Sequence, residues 1–219
     1  MVAASEKRRA AQLNEEGLLH YRRWEVEDAV RIFRQAAELD PDQSDYHLNL
    51  ARARARFGDY EGTLRALGDF LRTETDPILT ERFERLFGNA MDEVETLLAE
   101  VMTHHDVPLD IIGAAIQMWM EYRIAVGRRP LDISEPAPWA AALDLTVRKV
   151  NFREAPLLEI SEWYDAQPSA VRRHHLDLVQ TLDVMPCDYR YFRGDQNPLD
   201  KLVEAAAMLE ELEERFRKL

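Results

Sequence analysis

A single cysteine, Cys187, stands among 219 residues. That excludes an internal disulfide and any multi-cysteine metal site, and it suits a reducing compartment. Glycine is scarce too, at 8 residues, while Ala, Leu, Glu and Arg are plentiful, which favours helix throughout. Long alternations of Val, Ile, Thr and aromatic residues are missing, so no strand signature is present. The most apolar stretch, Ile111–Met120, is about half the ~20 residues a membrane span needs. The N-terminal MVAASEKRRA has no apolar signal-peptide core. A cytoplasmic protein of bacterial type, with no membrane partner, is the expectation.

Catalytic signatures are equally thin. The chain has no GxSxG, no Gly-rich phosphate loop, no HExxH and no CxxC. Glu95 and Glu100 read as solvated helix faces, and Cys187 becomes a nucleophile only if folding happens to bring His174 or His175 beside it. His104-His105 are neighbours in sequence, so on a helix they point ~100° apart; a cationic residue at a helix C-terminus is favoured by the dipole in any case. No catalytic residue, no metal ligand and no cofactor is assigned, and the expected protein is not an enzyme.

What is present is a soluble, acidic, globular composition: 46% hydrophobic, 32% charged, net charge −13. An acid excess disfavours a polyanion as partner of the whole chain. It is unevenly spread. Residues 1–75 hold 12 Lys/Arg and 14 Asp/Glu, a net of −2, which leaves −11 on residues 76–219.

Residues 11–42, AQLNEEGLLHYRRWEVEDAVRIFRQAAELDPD, place small and apolar residues at helical spacing twice, with a break near Arg22–Glu27. Gly17, Ala29, Phe33, Ala36 and Pro41 follow at offsets of 12, 4, 3 and 5. A shift of 34 residues brings Ala51 to the place of Gly17 and Leu67 to that of Phe33, with Gly58-Asp59-Tyr60 as the turn. The pattern resembles the tetratricopeptide repeat, over about 10–43 and 44–77. In the second copy Thr63 replaces the small Ala, Phe70 replaces Ala36, and the proline comes two places late at Pro77. The resemblance implies paired helices in each repeat, with Gly17 and Ala29 opening the contact that Phe33 fills. It also implies a concave groove lined by Asn14, Leu18, Tyr21, Arg22, Asn49, Arg52 and Arg56. Helix geometry puts Arg52 and Arg56 on one face and turns Arg54 away. Two guanidiniums and an amide suit the carboxylate of an acidic or C-terminal peptide. Neither arginine belongs to the apolar stripe, so replacing both is expected to leave the fold intact. The alternative is that they form surface ion pairs with residues such as Glu16 or Asp45.

Beyond Pro77, helices are expected at Ile78–Phe87 (stopped by Gly88-Asn89), at Met91–His104, and over an almost wholly apolar segment around Ile112–Ile124. A helix apolar all round is central and buried, which favours a core role for Met118 and Met120 over an adaptable binding surface. The fold class expected is all-α. It has a domain at 1–129, a proline-rich linker at 130–138 (PLDISEPAP), and a small three-helix domain at 139–219 that ends in a long helix.

In that last domain, Ile160–His175 reads ISEWYDAQPSAVRRHH. With helices at Pro138–Asn151, Leu157–Ala166 and Ser169–Leu182, the segment 157–182 resembles a helix-turn-helix. Ile160, Tyr164, Ala166 and Val171 take its buried offsets, Ser161 the close crossing and Asp165 the turn position. The resemblance implies DNA contacts from Ser169, Arg172 and Arg173. Two arginines against Glu159, Glu162, Asp165, Asp177 and Asp183 leave the segment at −3, little for holding phosphates. The loop Met185–Asn197 is expected to fold its rings inward. Leu199–Leu219 carries a near-heptad stripe of Leu202, Ala206, Leu209, Leu212 and Phe216, open to packing in cis or to homodimerisation. The first function expected is a protein–protein scaffold or adaptor, and the second a transcriptional regulator.

Overall fold

The structure is a computed structural model that describes residues 3–88, 91–154 and 156–193. The described residues form ten α-helices and no strand. The expected terminal helix Leu199–Leu219, and with it any dimer through that helix, lies outside them. No described helix is long and apolar enough to cross a membrane. The chain divides into two compact units.

The first unit holds Met1–Ala90 and Arg123–Leu131. Helices α1 (Ala4–Arg22) and α2 (Val26–Leu39) pack as a hairpin, as do α3 (Ser44–Phe57) and α4 (Tyr60–Thr73), and α2 packs on α3. The Phe33 ring lies against Gly17 so closely that a Cβ there would come within 2.7 Å of it. Ala51 and Leu67, 34 residues on, are both fully buried. The second turn is built from residues suited to it. Gly58 closes α3 at φ +83°, a conformation glycine takes without steric cost, and Asp59 caps α4 by accepting the Gly62 N–H at 2.9 Å. The late proline opens a helix rather than closing one: α5 (Pro77–Glu84) starts on Pro77, capped by Asp76. The expected Ile78–Phe87 helix tightens into a 3₁₀ turn over Arg85–Phe87.

The second unit holds Met91–Tyr122 and Asp132–Leu219. One boundary falls inside the proline-rich segment, between Leu131 and Asp132, and the others fall between residues 90 and 91 and between Tyr122 and Arg123. Residues 91–122 belong with the C-terminal helices because α6 (Glu93–His104) packs on α8 (Pro136–Val150). Helix α7 (Leu109–Ala125) supplies Trp119 and Tyr122, whose rings stand 5.4 Å and 5.1 Å from that of Trp139. Met118 is fully buried in this core and Met120 half-buried. The expected linker at 130–138 is also shorter than its prolines suggest. Pro136 and Pro138 form the first turn of α8, where a missing N–H costs nothing. That helix is buried from Pro138 through Arg148, since α6, α9 (Leu157–Trp163) and α10 (Pro168–Leu182) all pack on it.

Gly17→Ala is expected to lower stability by ~1–3 kcal/mol, the usual cost of overpacking a rigid ring. Gly68→Ala, where a Cβ meets nothing within 4 Å, should raise it by ~0.5–1 kcal/mol through helix propensity. Urea denaturation of both variants checks the opposite signs.

Candidate functional site

The seven residues expected to line a groove all fall on α1 and α3 within the first unit. A polar ladder links most of them. Asn49 donates to the Asn14 side-chain oxygen at 2.9 Å, and the Arg52 Nη1 donates to the Asn49 oxygen at 3.2 Å. Tyr21 follows, with the Arg52 guanidinium 5.4 Å from its ring centre. Leu18 is half-buried, and Arg22 is exposed and stands outside the ladder.

Arg56 departs from expectation. It shares a face with Arg52, but its guanidinium lies 3.9 Å from the Tyr21 ring centre and 4.4 Å from that of Trp24. Its Nη1 donates to the Tyr21 carbonyl at 3.2 Å, and the residue is 6% exposed. It is a buried cation held against two rings, not the open ligand group that its helical spacing suggested. Trp24 is the residue that sequence reasoning missed. It sits at φ +62° in the α1–α2 turn, and nothing in a turn tryptophan announces that it will cover an arginine 32 positions away.

Arg54 turns away as expected, to 3.8 Å from the Asp59 carboxylate. Arg52 does not join the surface ion pairs. Half-buried, it makes one hydrogen bond and no ion pair among the described residues, and its Nε is buried without a partner. The segment Arg123–Leu131 closes one side: a Cβ on Gly127 would stand 3.8 Å from that Nε. Arg128 holds the segment down. It donates to Asp45, Glu74 and the Ser44 hydroxyl, while Arg82 donates to the carbonyls of Gly127 and Arg129. Burial would raise the Glu74 carboxyl, but the Asp76 N–H and Arg128 outweigh it and hold the group below its ordinary range.

The second candidate lies on α10. Ile160, Tyr164 and Val171 are buried as expected, and Ala166 half-buried. The buried Ser161 hydroxyl donates to the Leu157 carbonyl at 2.7 Å. Asp165 takes φ +49° at the turn, a region where Asp is enriched among non-glycine residues. Ser169, Arg172 and Arg173 are all exposed. His174, where an aliphatic residue is usual, stacks on Trp139 at 3.8 Å. His175 meets the Thr146 hydroxyl at 2.8 Å and the Lys149 ammonium at 3.2 Å. Burial, then Lys149, pushes the His175 imidazole down to about 4.

The loop after α10 turns inward in part. Tyr191 is fully buried, whereas Tyr189 is 66% exposed, a correction to the expectation that all the rings pack. Arg190 donates to the Asp188 carboxylate at 2.9 Å and 2.8 Å, and the Tyr191 hydroxyl donates to Glu121 at 2.6 Å. Cys187 is buried, which pushes its thiol up. Among the described residues no cluster of three or more His, Cys, Asp or Glu is placed to hold a metal ion. The chain matches no protein-family model, no curated protein and no solved structure.

Two outcomes test this geometry. Arg56→Ala should cost ~2–3 kcal/mol, from a charge-assisted hydrogen bond and a desolvated cation–π contact, while Arg52→Ala should stay within ~1 kcal/mol. Thermal unfolding separates them. The folded His175 pKa of about 4 lies below the unfolded value of ~6.5. The unfolded chain therefore binds the extra proton, and the stability this group contributes above pH ~6.5 is lost as pH falls toward 4. Urea unfolding at pH 7.5 and 5 should show a loss of about 1–2 kcal/mol, less than the full shift because the half-buried ring is partly screened by solvent, and reduced in His175→Gln.

Proposed function

We propose that the chain is a non-catalytic protein-interaction module, a scaffold or adaptor, whose N-terminal hairpins act as tetratricopeptide repeats. The wall formed by α1 and α3 receives an acidic or C-terminal peptide. One observation carries this reading: Arg52. The chain has 41 acidic and 28 basic residues, yet this half-buried guanidinium has no carboxylate among the described residues. A partly desolvated arginine, aimed by Asn49 and flanked by Tyr21, is the chemistry that takes a carboxylate through charge-assisted bonds. The repeat reading is supported by the Gly17–Phe33 contact and by the burial of Ala51 and Leu67 at the 34-residue shift. Of the two arginines assigned to the ligand, the geometry supports one. Arg56 instead stiffens Tyr21 beneath it.

A second reading keeps one supporting observation. The positive φ of Asp165 and the exposure of Ser169, Arg172 and Arg173 suit a helix-turn-helix that contacts DNA, a transcriptional regulator. Its net charge of −3 over residues 156–183 opposes a phosphate backbone.

Fluorescence anisotropy with a labelled peptide rich in Asp and Glu, bearing a free C-terminus, tests the first reading. Arg52→Ala should weaken binding tenfold or more, ~1.4 kcal/mol, and Arg54→Ala should leave it unchanged. Equal losses from the two variants, or binding only through the C-terminal unit, would sink it. Gel shifts at physiological salt that vanish in Arg172→Ala/Arg173→Ala favour the second.

A further inference from the structure

The outer face of α10 forms an open groove lined by Ser169, Arg172, Arg173, Leu176, Asp177 and Gln180. Leu176 stands at its middle and is 49% exposed. Arg172 and Arg173 are exposed and pair with no carboxylate among the described residues. An apolar centre flanked by two free cations is a surface for an amphipathic, acidic segment.

We propose that the chain's own residues 199–219 are that segment and that they dock along α10 in cis. Charge is the first argument. Residues 199–219 hold six acids and four bases: Glu204, Glu210, Glu211, Glu213 and Glu214 form an acidic middle complementary to Arg172 and Arg173, with Lys201 before it and Arg215, Arg217 and Lys218 after it. The second is apolar matching. Leu202, Ala206, Leu209, Leu212 and Phe216 fall at helical spacing, and in proteins most of a helix's stability comes from packing such an apolar face on a partner. Leu176 offers one.

The third argument is delivery. The chain leaves the described residues at Arg193, which is anchored in the second unit: its N–H donates to Asn151 at 2.6 Å and its guanidinium to Gln117 at 3.0 Å. Three residues earlier, Arg190 donates to the Leu182 carbonyl at the C-terminal end of α10 at 2.9 Å. From Arg193 to Leu199 the chain reaches at most ~20 Å, and α10 from Leu182 back to Ser169 spans ~20 Å. Residues 199–219 thus start within reach of the groove. The short tether gives an effective concentration of about millimolar, so weak contacts suffice. The docked segment lies over Ser169, Arg172 and Arg173, the residues that the DNA reading requires.

Hydrogen exchange on the full-length chain, read by mass spectrometry, tests this. Amides in 199–219 should exchange at least tenfold slower than an unstructured chain, at a rate independent of protein concentration. The slowing should be lost in Leu176→Asp and in Arg172→Glu/Arg173→Glu. It should return when the double reversal is combined with Glu210→Arg/Glu211→Arg. Unchanged exchange in the α8 amides shows that each variant is folded, and Ile78→Asp, on the first unit, should have no effect. The proposal is overturned by unprotected amides in the native chain, by protection indifferent to the α10 variants, or by protection that rises with concentration alongside a dimer mass, which makes a second copy the occupant.

Discussion

A guanidinium stays charged when it is buried, and much of this molecule is arranged around that constraint. Arg56, Arg148 and Arg190 are 6%, 8% and 6% exposed. A desolvated charge without partners costs several kcal/mol, so each has its partners fixed around it. Arg190 takes both oxygens of Asp188 and the last carbonyl of α10, and so ties the loop that follows α10 back to its own helix end. Arg148 reaches Asp144 one turn earlier on α8 and lies 5.0 Å from the Trp163 ring centre. Two rings and a carbonyl hold Arg56, and that brings Tyr21 and Trp24 of the first hairpin onto α3 of the second.

These assignments separate the cations engaged within the fold from those that meet no acid among the described residues. Arg54, Arg82 and Arg128 are also engaged, by Asp59, by backbone carbonyls and by a pair of carboxylates. Arg52, Arg172 and Arg173 are not paired with acids among the described residues. In a chain with net charge −13, these three fall on the two surfaces singled out by sequence spacing.

Helix content was legible because it rests on local signals: the period of apolar positions, the Gly58-Asp59-Tyr60 turn and the scarcity of glycine. The hairpin contact at Gly17 and Phe33 was legible for the same reason, since a missing side chain 16 residues before a large one leaves a size pattern. The turn at Asp165 was legible because Asp is one of the few residues that tolerate positive φ. That residues 91–122 cluster with the C-terminal helices was not legible, because nothing local shows which surface a buried helix covers. Arg56 was misread for a related reason. Helical spacing gives the face an arginine occupies, but not the depth at which it sits, and depth was set here by Trp24, which lies in another element. The three prolines of 130–138 read as a break because their count was weighed without their position. Two of them stand in the first turn of α8, where proline fits.

Depth also explains the perturbed acids. Burial raises the Asp144 carboxyl above its ordinary value, against the opposing pull of Arg148 and Tyr164. A shifted carboxyl is a common mark of an active site, but here the group is fully buried. One oxygen takes the Arg148 Nε–H at 2.5 Å and the other the Tyr164 hydroxyl at 3.1 Å. Tyr164 stands at the end of α9 and Asp144 in the middle of α8, so this bond joins the two helices. Nearby, His105 stacks on Trp163 at 3.9 Å, beneath the same arginine. A reacting group needs a path for its substrate and a lone pair to spare. Asp144 is sealed from solvent and has both oxygens engaged. Its shifted titration follows from its work as a strut, and the acid that marks the centre of the second unit is there to hold α9 and its turn against α8.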